Sequence, residues 1–485
     1  MVEYCELAPN LKISRILMGL WQIADMEKGG TKLDPEETAK AMSPYVDTGF
    51  TTFDMADHYG SAEVIAGTFN KKRLHGNTLQ LLTKWVPKPG PITQKDVRIA
   101  VELSLKRMQL DTLDLLQFHA WNYADPNWLD CLFWLQELKE EGLIRQIGLT
   151  NFDTAHLRIV LSSGVDIVSN QVCYSLIDQR ARDQMATVCE QFGLKILAFG
   201  TLAGGFLSEK WIDQPEPSIA KLSTWSEMKY KRFINVTGGW GKFQQLLKTV
   251  QEIAKKHGIS IANIAIKYML EQPAVGGVII GARLGKKEHI KENLKVFEFQ
   301  LDKDDKNLIR EFQMQLDPVH GDCGDEYRKT PILTATGNLT HHFDTVPTPF
   351  TPIEMNSERT KVLSGTIWED MAGYSRAVRK GNRISVSGTT ATHGERMIGG
   401  NDPAAQAHFV IDKIQGAIES LGGKLEDVVR TRVFINNIND WESVARAHGE
   451  RFKDIQPANT LVEARLVGEG YLVEIEADAI VDLEN

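Results

Sequence analysis

The sequence predicts a parallel (β/α)8 barrel followed by a smaller α+β domain, and three observations point there. Over residues 12 to 295, eight short runs rich in β-branched and aliphatic residues alternate with segments of helical periodicity. Most of those runs are dominated by apolar residues rather than strictly alternating, as strands buried on both faces are. After Asp317-Pro318 the alternation stops, and from residue 361 strands and helices follow one another in no fixed order. Strict βαβ repetition implies right-handed crossovers and a parallel sheet, and eight units favour closure over an open doubly wound sheet.

The eight expected strands cover 13–17, 51–55, 79–83, 113–118, 144–149, 167–171, 195–199 and 277–280. Thr93 is placed to cap a helix whose Val97, Val101, Leu105 and Met108 recur at i+3/i+4 spacing. A second amphipathic run, 128–141, stops at Gly142, a residue suited to the left-handed position past a helix end. The stretch 207–242, rich in Trp, Gly and Pro, reads as a large loop after the seventh strand, and a helix over 302–316 closes a first domain, 1–317. Residues 318–360 hold Pro331, Pro347, Pro349 and Pro352 with little periodicity and read as a linker or ordered arm. In the second domain, 361–485, a strand over 383–387 is closed by Gly388. Asp402-Pro403 then opens a helix as N-cap and first residue. Its apolar face is Ala407, Ile411, Ile414, Ile418 and Leu421, and Gly422-Gly423 ends it. Strand 428–435, helix 441–452 and strands 460–466 and 472–480 complete the domain.

Composition removes several functions. A net charge of −9 offers no basic excess to neutralise a phosphate backbone, so nucleic acid is not an expected partner. No run of about 18 apolar residues could span a bilayer. Cys5, Cys131, Cys173, Cys189 and Cys323 are scattered and odd in number. The first residues carry neither a basic n-region nor an apolar h-region, so a reduced, cytoplasmic protein is expected. No metal site is expected either, since His320, Cys323, His341 and His342 fit no standard zinc spacing.

Polar residues gather where barrel chemistry belongs. Asp54 ends the second strand and Tyr59 follows it; Lys84 follows the third, His119 the fourth, Thr150-Asn151 the fifth, and Gln171 ends the sixth. One βα unit separates each from the next, so all converge on the C-terminal rim. Together these types suit carbonyl reduction, which needs hydride at carbon and a proton at oxygen. Tyrosine is a weak acid, with a usual pKa near 10. A neighbouring ammonium lowers it, a carboxylate keeps that ammonium charged and oriented, and an imidazole can orient the carbonyl. Trp21 and Trp121, each just past a strand end, are expected to wall the substrate pocket.

Phe53-Asp54-Met55-Ala56-Asp57-His58-Tyr59-Gly60 resembles the aldo-keto reductase signature, and Thr83-Lys84, Gln117-Phe118-His119 and Gly148-Leu149-Thr150-Asn151 resemble the blocks that follow it. The similarity covers about residues 10–300. It implies a TIM barrel with Asp54, Tyr59, Lys84 and His119 as catalytic residues, and NADP(H) lying extended across the rim. It implies further that Thr150, Asn151 and Gln171 bind the nicotinamide carboxamide, with Phe199 stacked on the ring. Gly200, Leu202 and Gly204 would belong to the pyrophosphate-side loop. Ile280-Gly281-Ala282-Arg283 and Glu292-Asn293 resemble the adenosine-phosphate segment, which makes Gly281, Arg283, Glu292 and Asn293 cofactor contacts. Arg283 suits the 2′-phosphate, because a guanidinium makes bidentate phosphate contacts. His289 stands where the family commonly has Gln or Arg, which keeps NAD open.

Residues 362–483 resemble the RidA/YjgF (L-PSP) family. The matching blocks are Gly381 through Val386-Ser387-Gly388, Gly422-Gly423 through Asp427-Val428-Val429, Phe434-Ile435, Phe452 through Pro457-Ala458, and Val473-Glu474-Ile475-Glu476. The resemblance implies a chorismate-mutase-like α+β fold that commonly trimerises, and an enamine/imine hydrolase that holds its substrate carboxylate with an arginine after Pro-Ala. Here that residue is Asn459, a neutral amide that cannot make the charged fork. The expected protein is therefore an oxidoreductase acting on a small carbonyl substrate, homo-oligomeric through a C-terminal ligand or assembly module. Two alternatives stand beside it: a non-catalytic NADP(H) sensor or scaffold, and a bifunctional reductase with imine hydrolase.

Overall fold

The computed structural model describes residues 1–72, 78–286 and 288–482. Eight parallel strands close a barrel: β3 (Ile16–Gly19), β4 (Thr52–Asp54), β5 (Gln80–Trp85), β6 (Leu113–Phe118), β7 (Ile144–Thr150), β8 (Ile167–Cys173), β9 (Lys195–Phe199) and β10 (Val275–Gly281), with β10 pairing back onto β3. An antiparallel hairpin, β1 (Tyr4–Ala8) and β2 (Leu11–Ser14), precedes it. Its Leu7, Leu11 and Ile13 pack on Leu17, Leu82, Leu115 and Leu197 from four different staves. Burying each such side chain contributes about 1.5–3 kcal/mol and plugs the N-terminal end, leaving the opposite rim for chemistry.

The expected first strand, 13–17, is in fact divided between β2 and β3. Its residues, Ile13-Ser14-Arg15-Ile16-Leu17, are contiguous in sequence, but the chain changes partner at Arg15. The Arg15 backbone N–H donates to the Glu3 carbonyl, and its own carbonyl accepts from Val278 of β10. The third strand extends further than 79–83, so Lys84 and Trp85 belong to it. The expected loop 207–242 contains the helix Trp225–Val236, whose N-cap Thr224 accepts from the Glu227 N–H. Tyr230, Phe233 and Ile234 supply its buried face, a periodicity obscured by the glycines and prolines around it. Thr93 caps Gln94–Met108 through a reciprocal capping box with Asp96, and Asp302 does the same for Lys303–Gln313 with Asp305.

The C-terminal sheet runs in the order β11-β12-β13-β14-β19-β17-β18. These are β11 (Ile353–Asn356), β12 (Arg359–Val362), β13 (Ala377–Lys380), β14 (Arg383–Thr390), β17 (Val428–Ile435), β18 (Ala458–Glu463) and β19 (Val473–Ile480), with β15 (Thr392–His393) and β16 (Arg396–Met397) a small separate ribbon. All neighbours are antiparallel except β17 and β18. β14 passes through Gly388 rather than ending there, because a register shift between Val386 and Thr389 absorbs the break. The expected strand 460–466 begins at Ala458 and ends at Glu463, held in parallel register by β17.

Helix Pro403–Ser420 lies between this sheet and the barrel. Ala407, Ile411, Ile414 and Ile418 are fully buried on one side and Ala405, His408 and Asp412 are buried on the other, so both sides of the helix are covered. On the barrel side it meets the helix Thr154–Ser162 that follows β7. Asp402 receives Arg158 Nε at 2.5 Å, and His393 Nε2 lies 2.8 Å from Asp130 Oδ2. The approach needs glycine: a Cβ on Gly416 would come within 2.4 Å of the Ala124 carbonyl oxygen.

Candidate active site

A cavity of about 880 Å³ opens at the C-terminal rim of the barrel. Every residue singled out from the sequence lines it: Asp54, Tyr59, Lys84, His119, Thr150, Asn151, Gln171, Phe199, Gly200, Leu202, Gly204, Gly281, Arg283, Glu292 and Asn293, together with Trp21 and Trp121. Residues from nearly all the staves meet there because side chains at parallel strand ends must point into the same mouth.

At its floor, Lys84 Nζ donates to Asp54 Oδ2 at 2.6 Å and to the Met55 carbonyl at 2.8 Å. Both partners are only 4% exposed, so the ion pair is desolvated as well as short. Gln117 Nε2 and Gln171 Nε2 donate to Asp54 Oδ1 at 3.1 and 2.7 Å, and Gln171 Nε2 also reaches Gln117 Oε1 at 2.8 Å. Asp54 thus accepts from three side chains and cannot swing away. Gln117 plays a part that sequence reading did not assign to it, although it stood in the block Gln117-Phe118-His119 and is, with Asp114, one of two polar residues in the strand Leu113–Phe118. The amide nitrogen of Gln171 is held below, so its oxygen is what it presents upward.

The Lys84 ammonium lies 5.1 Å from the centre of the Tyr59 ring, and Trp21 meets that ring edge-on at 5.0 Å. Burial pushes the Tyr59 phenol well above its ordinary value, with the Asp54 carboxylate adding to the rise. The sequence led to the opposite expectation, a phenol acidified by Lys84. The physical reason is burial, which disfavours the phenolate, with the Asp54 carboxylate that pairs the ammonium adding its own charge. Lys84 itself is lowered by burial, against the opposing effect of Asp54.

His119 is buried, and its Nε2 has no hydrogen-bond partner. Its Nδ1 lies 3.3 Å from the Thr150 carbonyl and 3.4 Å from Asn151 Nδ2. Burial, reinforced by Arg328, holds the imidazole well below its ordinary pKa, so it is neutral. Asn151 adopts a left-handed backbone (φ 60°), and its buried Oδ1 is likewise without a partner. An unsatisfied amide oxygen and ring nitrogen in one cavity fit a ligand with polar groups.

The arm contributes more than a connection. Arg328 donates to the Ala120 and Asn151 carbonyls at 2.9 and 2.7 Å. Tyr327, Thr334, Ala335, His341 and His342 line the cavity. His342 lies 4.7 Å from Trp121, and His341 lies 5.1 Å from Trp225. Burial and cationic neighbours push His341 down to about 4 and His342 to about 3, so both are neutral walls. Among the described residues, no three His, Cys, Asp or Glu side chains gather as metal ligands would.

Residues 15–313 match the model of the Aldo/keto reductase family. The chain belongs to the aldo/keto reductase family. Within this aldo/keto reductase, residues 367–481 match a second family model, Endoribonuclease L-PSP. The NADH-specific methylglyoxal reductase of Escherichia coli is 25% identical to it, over 64% of this chain and 97% of that one. The glycerol dehydrogenase of Gluconobacter oxydans shares its fold, with a TM-score of 0.54 at 22% identity, covering 66% of this chain and 97% of that one. An uncharacterised Streptomyces coelicolor protein is 37% identical over 26% of this chain and 95% of its own length. Among the described residues, no helix is long and apolar enough to cross a membrane.

Proposed function

We propose that this aldo/keto reductase reduces an aldehyde or ketone to an alcohol, or runs the reverse reaction, with NADP(H) as the preferred cofactor. The observation that carries the reading is the convergence of Asp54, Lys84, Tyr59 and His119 on one end of one cavity. The unpartnered Asn151 Oδ1 suits the carboxamide of a nicotinamide, with Thr150 and Gln171 beside it and Phe199 as the ring's platform. A bound nicotinamide supplies the hydride. Tyr59 keeps its proton through neutral pH and gives it to the oxygen as negative charge develops there. Lys84, fixed by Asp54, favours the resulting phenolate and regains influence as that charge appears. In the tautomer protonated at Nε2, with Nδ1 accepting from Asn151, His119 donates to the carbonyl and aligns it. Arg283, with Gly281, Glu292 and Asn293, fits the adenosine end, and its guanidinium favours a 2′-phosphate. The exposure of Arg283 and the cofactor named for the Escherichia coli relative keep NAD as the competing cofactor.

Residues 1–317 would act as the reductase, 318–360 as the arm that walls its pocket, and 361–485 as an assembly and ligand module. Helix Pro403–Ser420 of that module meets the barrel, whereas alternate residues of β14 and β19 (Ser385, Glu476 and Asp478) point away from that helix, which leaves a sheet face for a trimer. Asn459 is turned to Thr431, donating to its Oγ1 at 2.9 Å, which supports a role other than holding a substrate carboxylate for imine hydrolysis. The test is reduction of 4-nitrobenzaldehyde followed by NADPH consumption. Tyr59→Phe should retain NADPH binding and lose about 10²–10⁴-fold in kcat/KM; undiminished turnover would remove Tyr59 as proton donor.

A further inference from the structure

The chemistry above leaves Lys229, a cationic group of the cavity, unused. Lys229, in the helix Trp225–Val236, donates to the Tyr327 hydroxyl at 2.7 Å. Its Nζ lies 4.8 Å from the centre of the Phe199 ring and 4.6 Å from that of Tyr327. Tyr327 comes from the arm, and its ring stands 5.9 Å from His119 and 6.1 Å from Trp121. The position is not accidental. The next residue, Arg328, ties the arm to the loops after β6 and β7 and lies 4.4 Å over the Tyr123 ring.

Both side chains line the cavity and are half-buried among aromatic rings. An ammonium has three donors and Tyr327 takes one; the Tyr327 hydroxyl, by accepting, keeps its own proton free to donate. Burial disfavours the Lys229 charge, yet Tyr327 and the Glu326 carboxylate more than offset this, and the lysine stays protonated. Glu326 itself is paired with Arg180 at 3.0 Å. A half-buried ammonium with two donors to spare, beside the position of the reacting carbonyl, is complementary to an anionic group on a ligand.

We propose that Lys229 and Tyr327 form an anion subsite next to the carbonyl site, so that preferred substrates are aldehydes or ketones carrying a carboxylate or a similar oxyanion. This rests on the carbonyl-reductase reading and specifies the substrate class for it. Charge-assisted hydrogen bonds are about twice as strong as neutral ones. A neutral analogue would forfeit that charge assistance, and the site would discriminate against it.

4-Carboxybenzaldehyde and 4-nitrobenzaldehyde test this, because both end in a planar pair of oxygens and differ by one charge. The readout is the ratio of their kcat/KM values in the wild type, Lys229→Met and Lys229→Arg. The ratio should fall about tenfold or more in Lys229→Met and recover in Lys229→Arg. Calorimetric binding of terephthalate to the NADPH-loaded full chain reads the same subsite without turnover, and should weaken about tenfold or more in Lys229→Met. An unchanged ratio, or equal losses for both aldehydes alongside weaker NADPH binding, would overturn the proposal. A wild type that binds terephthalate through Lys229 but reduces neither aldehyde would instead fault the carbonyl-reductase reading and leave the subsite standing. If Lys229→Met does not fold, Tyr327→Phe, which removes one oxygen, carries both measurements with the same criteria.

Discussion

His156 Nε2 sits 2.9 Å from Asp412 Oδ2, joining the barrel helix Thr154–Ser162 to the central helix of the C-terminal domain. The ring is held on its other side by Asp153, at 2.6 Å from Nδ1, and stacks on Tyr123 at 3.4 Å. Arg451 pairs with Asp412 at 2.6 Å, so the buried cluster is Asp153, His156, Asp412 and Arg451.

That cluster sets a pH window for stability. The two carboxylates outweigh burial and raise the His156 pKa, so its contribution is complete below about 6.5 and lost as pH rises through the raised value. Asp153 and Asp412 are held below the usual carboxylate range by His156 and, for Asp412, by Arg451 ahead of it, both working against burial. Their contribution is present above about 3.9 and disappears as pH falls. Thermal melts across pH should therefore show maximal stability between those limits and loosening toward alkaline pH. Asp412→Asn should cost about 3–5 kcal/mol near neutrality and flatten the alkaline limb; an unaltered profile would count against the bridge.

Gly416 offers a test with a reversed sign. Glycine to alanine inside a helix normally stabilises by roughly 0.5–1 kcal/mol. Here the added Cβ would lie 2.4 Å from the Ala124 carbonyl and 2.8 Å from Pro349. Gly416→Ala should lower the melting temperature, by about 1–3 kcal/mol of stability. A rise in melting temperature would mean that the two domains do not meet there.

The pH–rate profile should lack a histidine limb. His119 is pushed far below its ordinary range by burial, and the Tyr59 phenol far above its own. Reduction should run at a constant kcat across roughly pH 6–9, where neither group titrates. A limb centred near 6.5 would identify a different proton donor or a charged His119.

Arg283 should govern cofactor choice. Arg283→Ala removes a charge-assisted contact to a 2′-phosphate and should raise the KM for NADPH by about ten- to a hundredfold while leaving that for NADH nearly unchanged. Equal effects on both cofactors would move phosphate selectivity elsewhere on the rim.

The sequence alone fixed much of the barrel and its floor. Asp54 stands near the end of the expected strand 51–55, Lys84 and His119 directly follow 79–83 and 113–118, and residues at the ends of parallel strands must share one rim. Asp54, Lys84 and His119 could therefore be brought together without coordinates. Only the tertiary structure decided what closes over them. Lys229 and Tyr327 are 98 residues apart, and His156 and Asp412 are 256 apart. Neither pair leaves a periodicity, because each depends on where an irregular arm and a second domain come to rest. The first strand failed for a related reason: a change of hydrogen-bonding partner at Arg15 is invisible in a run with no glycine or proline to mark the break. Local pattern reports which face of an element is buried, whereas the partner that buries it is set by closure of the whole chain.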